Sequence, residues 1–178
     1  MILTDYQEER AEKIIQLFEN VFSASEGPDE GAVIGALVRE MIETTSPEAL
    51  KGFIAKEGEK IIGAIFFSRF SLPSQKNAYI LSPVAVSTLH QGTGVGQQLI
   101  RFGISALQSE GVEILLTYGD PNYYCKTGFK PISEALIPAP LKLSMPQGWL
   151  AQSLTEHEIS PETGQTQCVA ALNNQALW

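Results

Sequence analysis

The feature that most constrains this chain is the run Val84-Ala85-Val86-Ser87-Thr88-Leu89-His90-Gln91-Gly92-Thr93-Gly94-Val95-Gly96-Gln97-Gln98-Leu99. The β-branched start reads as a strand, followed by a short loop and then a helix whose first turn holds Gly92, Gly94 and Gly96. A strand must therefore hand over to a helix within a few residues. The first N–H groups of such a helix have no partner within it, and glycine leaves nothing above them. A helix start of this kind favours an anion such as a phosphate, and the helix dipole adds to the attraction. The run is not a dinucleotide fingerprint, because Gln97 stands where its third glycine belongs. It is not a Walker loop either, because no Gly-Lys-Ser/Thr follows. On local grounds a plain glycine-rich connection stays open beside the anion site.

Composition narrows the class. The 178 residues carry 20 acidic against 12 basic side chains, a net charge of −8, with 44% apolar types. That length and apolar content suit one core, and one domain over residues 1–178 is expected. The acidic balance argues against a nucleic-acid partner, which needs clustered Lys and Arg. No apolar run approaches the ~20 residues that span a bilayer, so no membrane partner is expected. Met1 to Glu12 shows no basic-then-apolar leader. Cys125 and Cys168 form no Cys-x-x-Cys pair, and with two histidines a metal site is not expected. A reduced, cytoplasmic protein is the resulting expectation.

Thr4 and Gln7 are spaced as a capping box before a helix carrying Ala11, Ile14, Ile15, Phe18, Val21 and Phe22 on one face. Ser23 to Gly31 reads as a loop. Pro28 and Asp29 open a second helix with Val33, Leu37, Val38 and Met41 on one face, ended by Ser46-Pro47. Phe53–Ala55 and Ile61–Phe67 flank the turn Glu57-Gly58-Glu59, and a third strand runs over Ala78–Val86. A helix over Gly94–Glu110 ends at Gly111. A buried strand over Val112–Tyr118 follows, then a short helix opened by Asp120 as N-cap and Pro121 at its first position. Gly128-Phe129 closes that helix. Residues 132–146 are irregular, and Trp149–Leu154 and Gln167–Leu172 read as late strands. This order, α-α-β-β-β-α-β-α-β, is that of an α+β protein with a mixed sheet and helices on its faces.

One strand after the glycine loop comes Gly119-Asp120-Pro121-Asn122-Tyr123-Tyr124-Cys125-Lys126-Thr127-Gly128-Phe129. Gln91, Gly94 and Gly96, preceded by Val84-x-Val86, resemble the Gln/Arg-x-x-Gly-x-Gly/Ala acyl-CoA motif of the GNAT superfamily of N-acetyltransferases. Tyr124-x-x-x-Gly128-Phe129 is similar to that superfamily's closing motif. The GDP-x-YY-x-x-x-GF form resembles a bacterial subgroup of small-molecule acetyltransferases. The resemblance is specific over residues 78–130 and consistent in element order over 1–77. Thr88 stands where Pro is frequent, Thr117 and Asp120 replace a common Asn and Ala, and Tyr79, Leu81 and Ser82 occupy the region where many members place a glutamate base.

The resemblance implies a GNAT-like, mostly antiparallel sheet with helices on both faces, and transfer of an acetyl group from acetyl-CoA to a primary amine by direct attack in a ternary complex. The alternative is a catalytically weak acyl-CoA sensor or scaffold of the same fold. It implies that backbone groups at Val84 and Val86 hold the pantetheine arm, and that Gln91, Gly92, Thr93, Gly94, Val95, Gly96 and Gln97 hold the pyrophosphate. Pro83, with no N–H, suits an interrupted ladder there. Tyr124 is the implied general acid for the departing thiolate, with Tyr123 structural. Asp120 reads as a cap and Cys125 as core. The acceptor is a small amine, and Glu26, Asp29 and Glu30 are the acids that would attract a cationic one. Late strands in this superfamily often pair across dimers, so a homodimer is compatible.

Overall fold

A computed structural model describes residues 1–178. Eleven named strands and helices follow in the order β1 (Ile2–Asp5), α1 (Ala11–Glu26), α2 (Pro28–Thr44), β2 (Leu50–Glu57), β3 (Lys60–Arg69), β4 (Ala78–Val86), α3 (Val95–Ser109), β5 (Ile114–Tyr118), α4 (Pro121–Tyr124), β6 (Lys130–Pro131) and β7 (Trp149–Ser153). The seven strands hydrogen-bond in the order β1-β2-β3-β4-β5-β7-β6. The β4–β5 pair is parallel, and the β1–β2, β5–β7 and β6–β7 pairs are antiparallel. The chain groups into two compact units, one of residues 1–67 and 83–104 and the other of 68–82 and 105–178. No helix is long and apolar enough to cross a membrane.

The first unit is built on the hairpin of β2 and β3, turned at Gly58 with φ +56°. Residues of β3 from Ile61 to Phe67 are all buried, which is why the segment reads as a continuous apolar run rather than an alternation. Phe66 packs edge-on to Tyr6 and against Phe18 of α1, whereas Phe67 meets Phe53. Phe53 also meets Phe102 of α3 edge-on. A Cβ placed on Gly103 would lie 2.7 Å from a Phe67 ring atom and 2.9 Å from one of Phe53. Gly103→Ala is therefore expected to destabilise the protein, by about 1–3 kcal/mol of overpacking against about 1 kcal/mol of helix propensity gained. A lowered Tm checks the sign.

Four sequence expectations change here. Thr4 does not cap a helix: residues 2–5 form β1, paired Ile2↔Lys56 through Asp5↔Phe53. The preference for this long-range ladder outweighs a local cap, and α1 starts after a 3₁₀ turn at Glu8–Arg10 with no side-chain cap. Ser23 to Glu26 are not loop but the last turn of α1, and the whole connection to α2 is Gly27 at φ +99°. Val33 is 47% exposed, while Gly31, Ile34, Gly35, Leu37, Val38 and Met41 form the buried face of α2. The two glycines belong to that face because α1 approaches there: a Cβ on either would collide with Ser23 or Glu19.

The second unit is centred on β5. Its residues pair in parallel with β4 from Ala78↔Ile114 to Leu81↔Thr117, and antiparallel with β7 from Ile114↔Ser153 to Tyr118↔Trp149. Trp149 is fully buried, donates its indole N–H to the Ile137 carbonyl at 2.8 Å, and lies against Phe70, Tyr118 and Trp178. The fourth changed expectation is the strand over Gln167–Leu172. It reduces to one bridge, Ser71↔Gln167, followed by a 3₁₀ turn at Ala170–Leu172.

Candidate acyl-CoA site

The glycine loop lies in the first unit. Ser87 closes the strand end with an N–H bond of 2.8 Å to the Ile62 carbonyl, and the His90 N–H returns to the Ser87 carbonyl at 2.8 Å. Gln91 then folds back, its Nε2 donating to the Val86 carbonyl at 3.0 Å. The Thr93 hydroxyl donates to the His90 carbonyl. Both polar side chains are thus used to hold the loop, which leaves backbone as the surface offered by Gly92 to Gly94. The Gly94 carbonyl accepts the N–H of Gln98 at 3.0 Å, so Gly94 is the cap of α3. The N–H groups of Val95, Gly96 and Gln97 accordingly have no acceptor inside the helix. Gly94 sits at φ +87°, a conformation that side-chain-bearing residues rarely adopt. Val95 and Gly96 are buried, and Val84 and Val86 are half-buried.

The His90 side chain is 21% exposed and its Nε2 stands 3.4 Å from a Glu57 carboxylate oxygen, which ties the loop to the end of β2.

Tyr124 lies in the second unit. Asp120 caps α4 as expected, accepting the Asn122 N–H at 2.9 Å, and Pro121 occupies the first turn. Gly128, in left-handed conformation, ends the following 3₁₀ turn. The Tyr124 ring is fixed on three sides. It packs edge-on to Tyr123 at 5.0 Å and to Phe129 at 6.0 Å. It also rests on Gly119, where a Cβ would stand 2.7 Å from Tyr124 Cε2. Burial pushes the phenol well above its ordinary range, with the neighbouring Tyr123 and Asp120 acting in the same direction and the nearby Thr117 hydroxyl opposing them. Tyr124 therefore stays protonated, a hydrogen-bond donor, at any neutral or moderately alkaline pH.

Sequence reasoning missed Gly119 and the Thr117 hydroxyl, which donates to the Leu81 carbonyl at 2.9 Å. The signal for Gly119 was its place two residues before Pro121, where the backbone must pass under the tyrosine ring. Cys125, expected in the core, is exposed on the turn after α4. Glu26 and Asp29 are exposed and Glu30 is half-buried, at the adjoining ends of α1 and α2 rather than in a loop.

The sequence model of the acetyltransferase (GNAT) domain matches residues 49–131. Over 138 residues, 74% of this chain and 76% of the relative, the chain is 32% identical to YjhQ of Escherichia coli K12, described as an uncharacterized N-acetyltransferase. The GNAT family N-acetyltransferase YhbS of Escherichia coli, solved in complex with CoA, has a TM-score of 0.80 at 21% identity, over 97% of this chain and 92% of that one. A GNAT family acetyltransferase of Brucella melitensis, solved in complex with acetyl-CoA, has a TM-score of 0.68 at 25% identity, over 97% of each chain. The glycine-capped helix, the tyrosine turn, the relative and the shared fold agree, and the chain belongs to the GNAT family of acetyltransferases.

Proposed function

We propose that the protein transfers an acetyl group from acetyl-CoA to a small primary amine, by direct attack of the amine on the thioester in a ternary complex. The observation that carries this reading is the start of α3, where Gly94 caps the helix at φ +87° and the next N–H groups have no acceptor within it. Such a site suits the CoA pyrophosphate, with Gln91 to Gln97 around it and Val84 and Val86 along the pantetheine arm. The reaction forms a C–N bond and breaks C–S, so the amine nitrogen loses a proton and the sulfur leaves as thiolate or thiol. Tyr124, a neutral phenol seated on Gly119, serves the sulfur by donating a hydrogen bond as negative charge develops there.

The acidic side chains at Glu26, Asp29 and Glu30 and the net charge of −8 favour a cationic acceptor. The test is release of free CoA thiol from acetyl-CoA across a panel of primary amines. Turnover is expected, and amines with a second positive charge are expected to show lower KM than amines bearing a carboxylate, with the difference shrinking as salt rises. A panel in which no amine accelerates thiol release would contradict transfer. Carboxylate-bearing amines as best acceptors would contradict the charge preference.

A further inference from the structure

Gly119 and Gly148 meet backbone to backbone. The Gly119 N–H donates to the Gly148 carbonyl at 3.0 Å, and a Cβ on Gly148 would stand 2.8 Å from the Gly119 carbonyl oxygen. Neither residue has a left-handed φ, and Gly148 closes the 3₁₀ turn Pro146–Gly148. What requires a glycine at 148 is therefore the closeness of Gly119, not its own backbone conformation. The turn is anchored on both flanks. Met145 donates its N–H to the Tyr118 hydroxyl at 2.7 Å, and the Gly148 N–H returns to the Met145 carbonyl at 2.8 Å. Trp149, directly after the turn, is fully buried and pairs with Tyr118 in the β5–β7 ladder.

On the other side of this contact, Gly119 carries Tyr124 in two ways. The Tyr124 ring rests on it, and its carbonyl belongs to the peptide that leads into Asp120. The Asp120 carbonyl accepts the N–H groups of Tyr123 and Tyr124, each at 3.1 Å. The place of the Gly119–Asp120 peptide thus sets α4 through its cap and the tyrosine ring through direct contact.

We infer that Gly148 is a positioning residue for acetyl transfer: its bare backbone lets the Pro146–Gly148 turn seat against Gly119 and so fixes where Tyr124 holds its hydroxyl. The inference rests on the reading of Tyr124 given above. A methyl group at 148 must part the two backbones by about half an ångström to reach an ordinary contact. Tyr118 and Trp149 hold the turn, so the side that gives is Gly119, which lies beyond the last residue of the β5 ladder. A shift of that size in a group that serves the transition state costs about tenfold in rate.

The experiment measures kcat for thiol release, with the amine that best supports turnover, and CoA affinity by calorimetry. The proteins are Gly148→Ala, Tyr124→Phe and the double change Gly148→Ala/Tyr124→Phe, each checked for folding by circular dichroism. Gly148→Ala is expected to lower kcat about tenfold with CoA affinity unchanged. In the Tyr124→Phe background it is expected to have no further effect, because the hydroxyl it positions is gone. If Gly148→Ala does not fold, Tyr118→Phe takes its place in the same cycle. It adds no atom, frees the Met145 N–H and loosens the turn on Gly119, and its expected loss is severalfold in the parent and none in the Tyr124→Phe background. Equal losses in both backgrounds, as a merely structural role would give, would overturn the inference and leave Tyr124 standing. Undiminished kcat in the folded variant, or a loss of CoA affinity in place of kcat, would do the same. A Tyr124→Phe enzyme with undiminished kcat would overturn both.

Discussion

Replacing Tyr124 by Phe is expected to lower kcat by about 10²–10⁴ while leaving CoA affinity close to that of the parent protein. The ring contacts with Tyr123, Phe129 and Gly119 survive the change, so only the hydroxyl is tested. The raised phenol sharpens the expectation. A tyrosine held well above its usual range by burial is a poor source of a fully transferred proton but a constant donor of a hydrogen bond. The loss should therefore be the same across neutral and mildly alkaline pH, with no alkaline limb traceable to Tyr124. Tyr123→Phe is the control and should turn over normally. A loss under tenfold for Tyr124→Phe would mean that the thiolate leaves unaided and that the ring is a packing element.

The second large effect is expected at Gly94. At φ +87° a valine is strained by its Cβ and by its branching, and its side chain would stand over the unpaired N–H groups of α3. The space around the residue is not the obstacle, since the nearest atom to an added Cβ is Gln98 Nε2 at 3.6 Å. Gly94→Val is thus expected to fold, with reduced Tm, and to lose CoA affinity by about a hundredfold or more, about 2.7 kcal/mol. Titration calorimetry with CoA, alongside circular dichroism to establish folding, checks both parts. Parental affinity in the folded variant would remove the loop from the account.

What the sequence disclosed of this site was what local chemistry determines. Asp120 and Pro121 at a helix start and Gly128 at its end each follow from one residue's backbone preferences and stand where they were read, whereas Gly94, read as the first residue of its helix, is the cap one position before it. β4 was legible to the residue because its Ala78–Val86 run lies between a turn-rich loop and the glycine segment. The misses share a cause, which is that the deciding partner is distant in sequence. β1 is four residues whose only reason to be a strand is Phe53 to Lys56, about fifty positions away. Gly31 and Gly35 face α1 because close approach needs small residues, whereas a hydrophobicity pattern favours Val33. Thr117 read only as a departure from the family's Asn; its bond to the Leu81 carbonyl depends on the β4–β5 register.

The central claim is that the loop from Gln91 to Gln97 binds the CoA pyrophosphate through backbone N–H groups. The most direct measurement is an amide chemical-shift titration of the ¹⁵N-labelled protein with CoA. The largest shifts are predicted at Gly92 to Gln97, with pyrophosphate alone moving the same amides at higher concentration. Saturable CoA binding that leaves these amides unmoved would contradict the account.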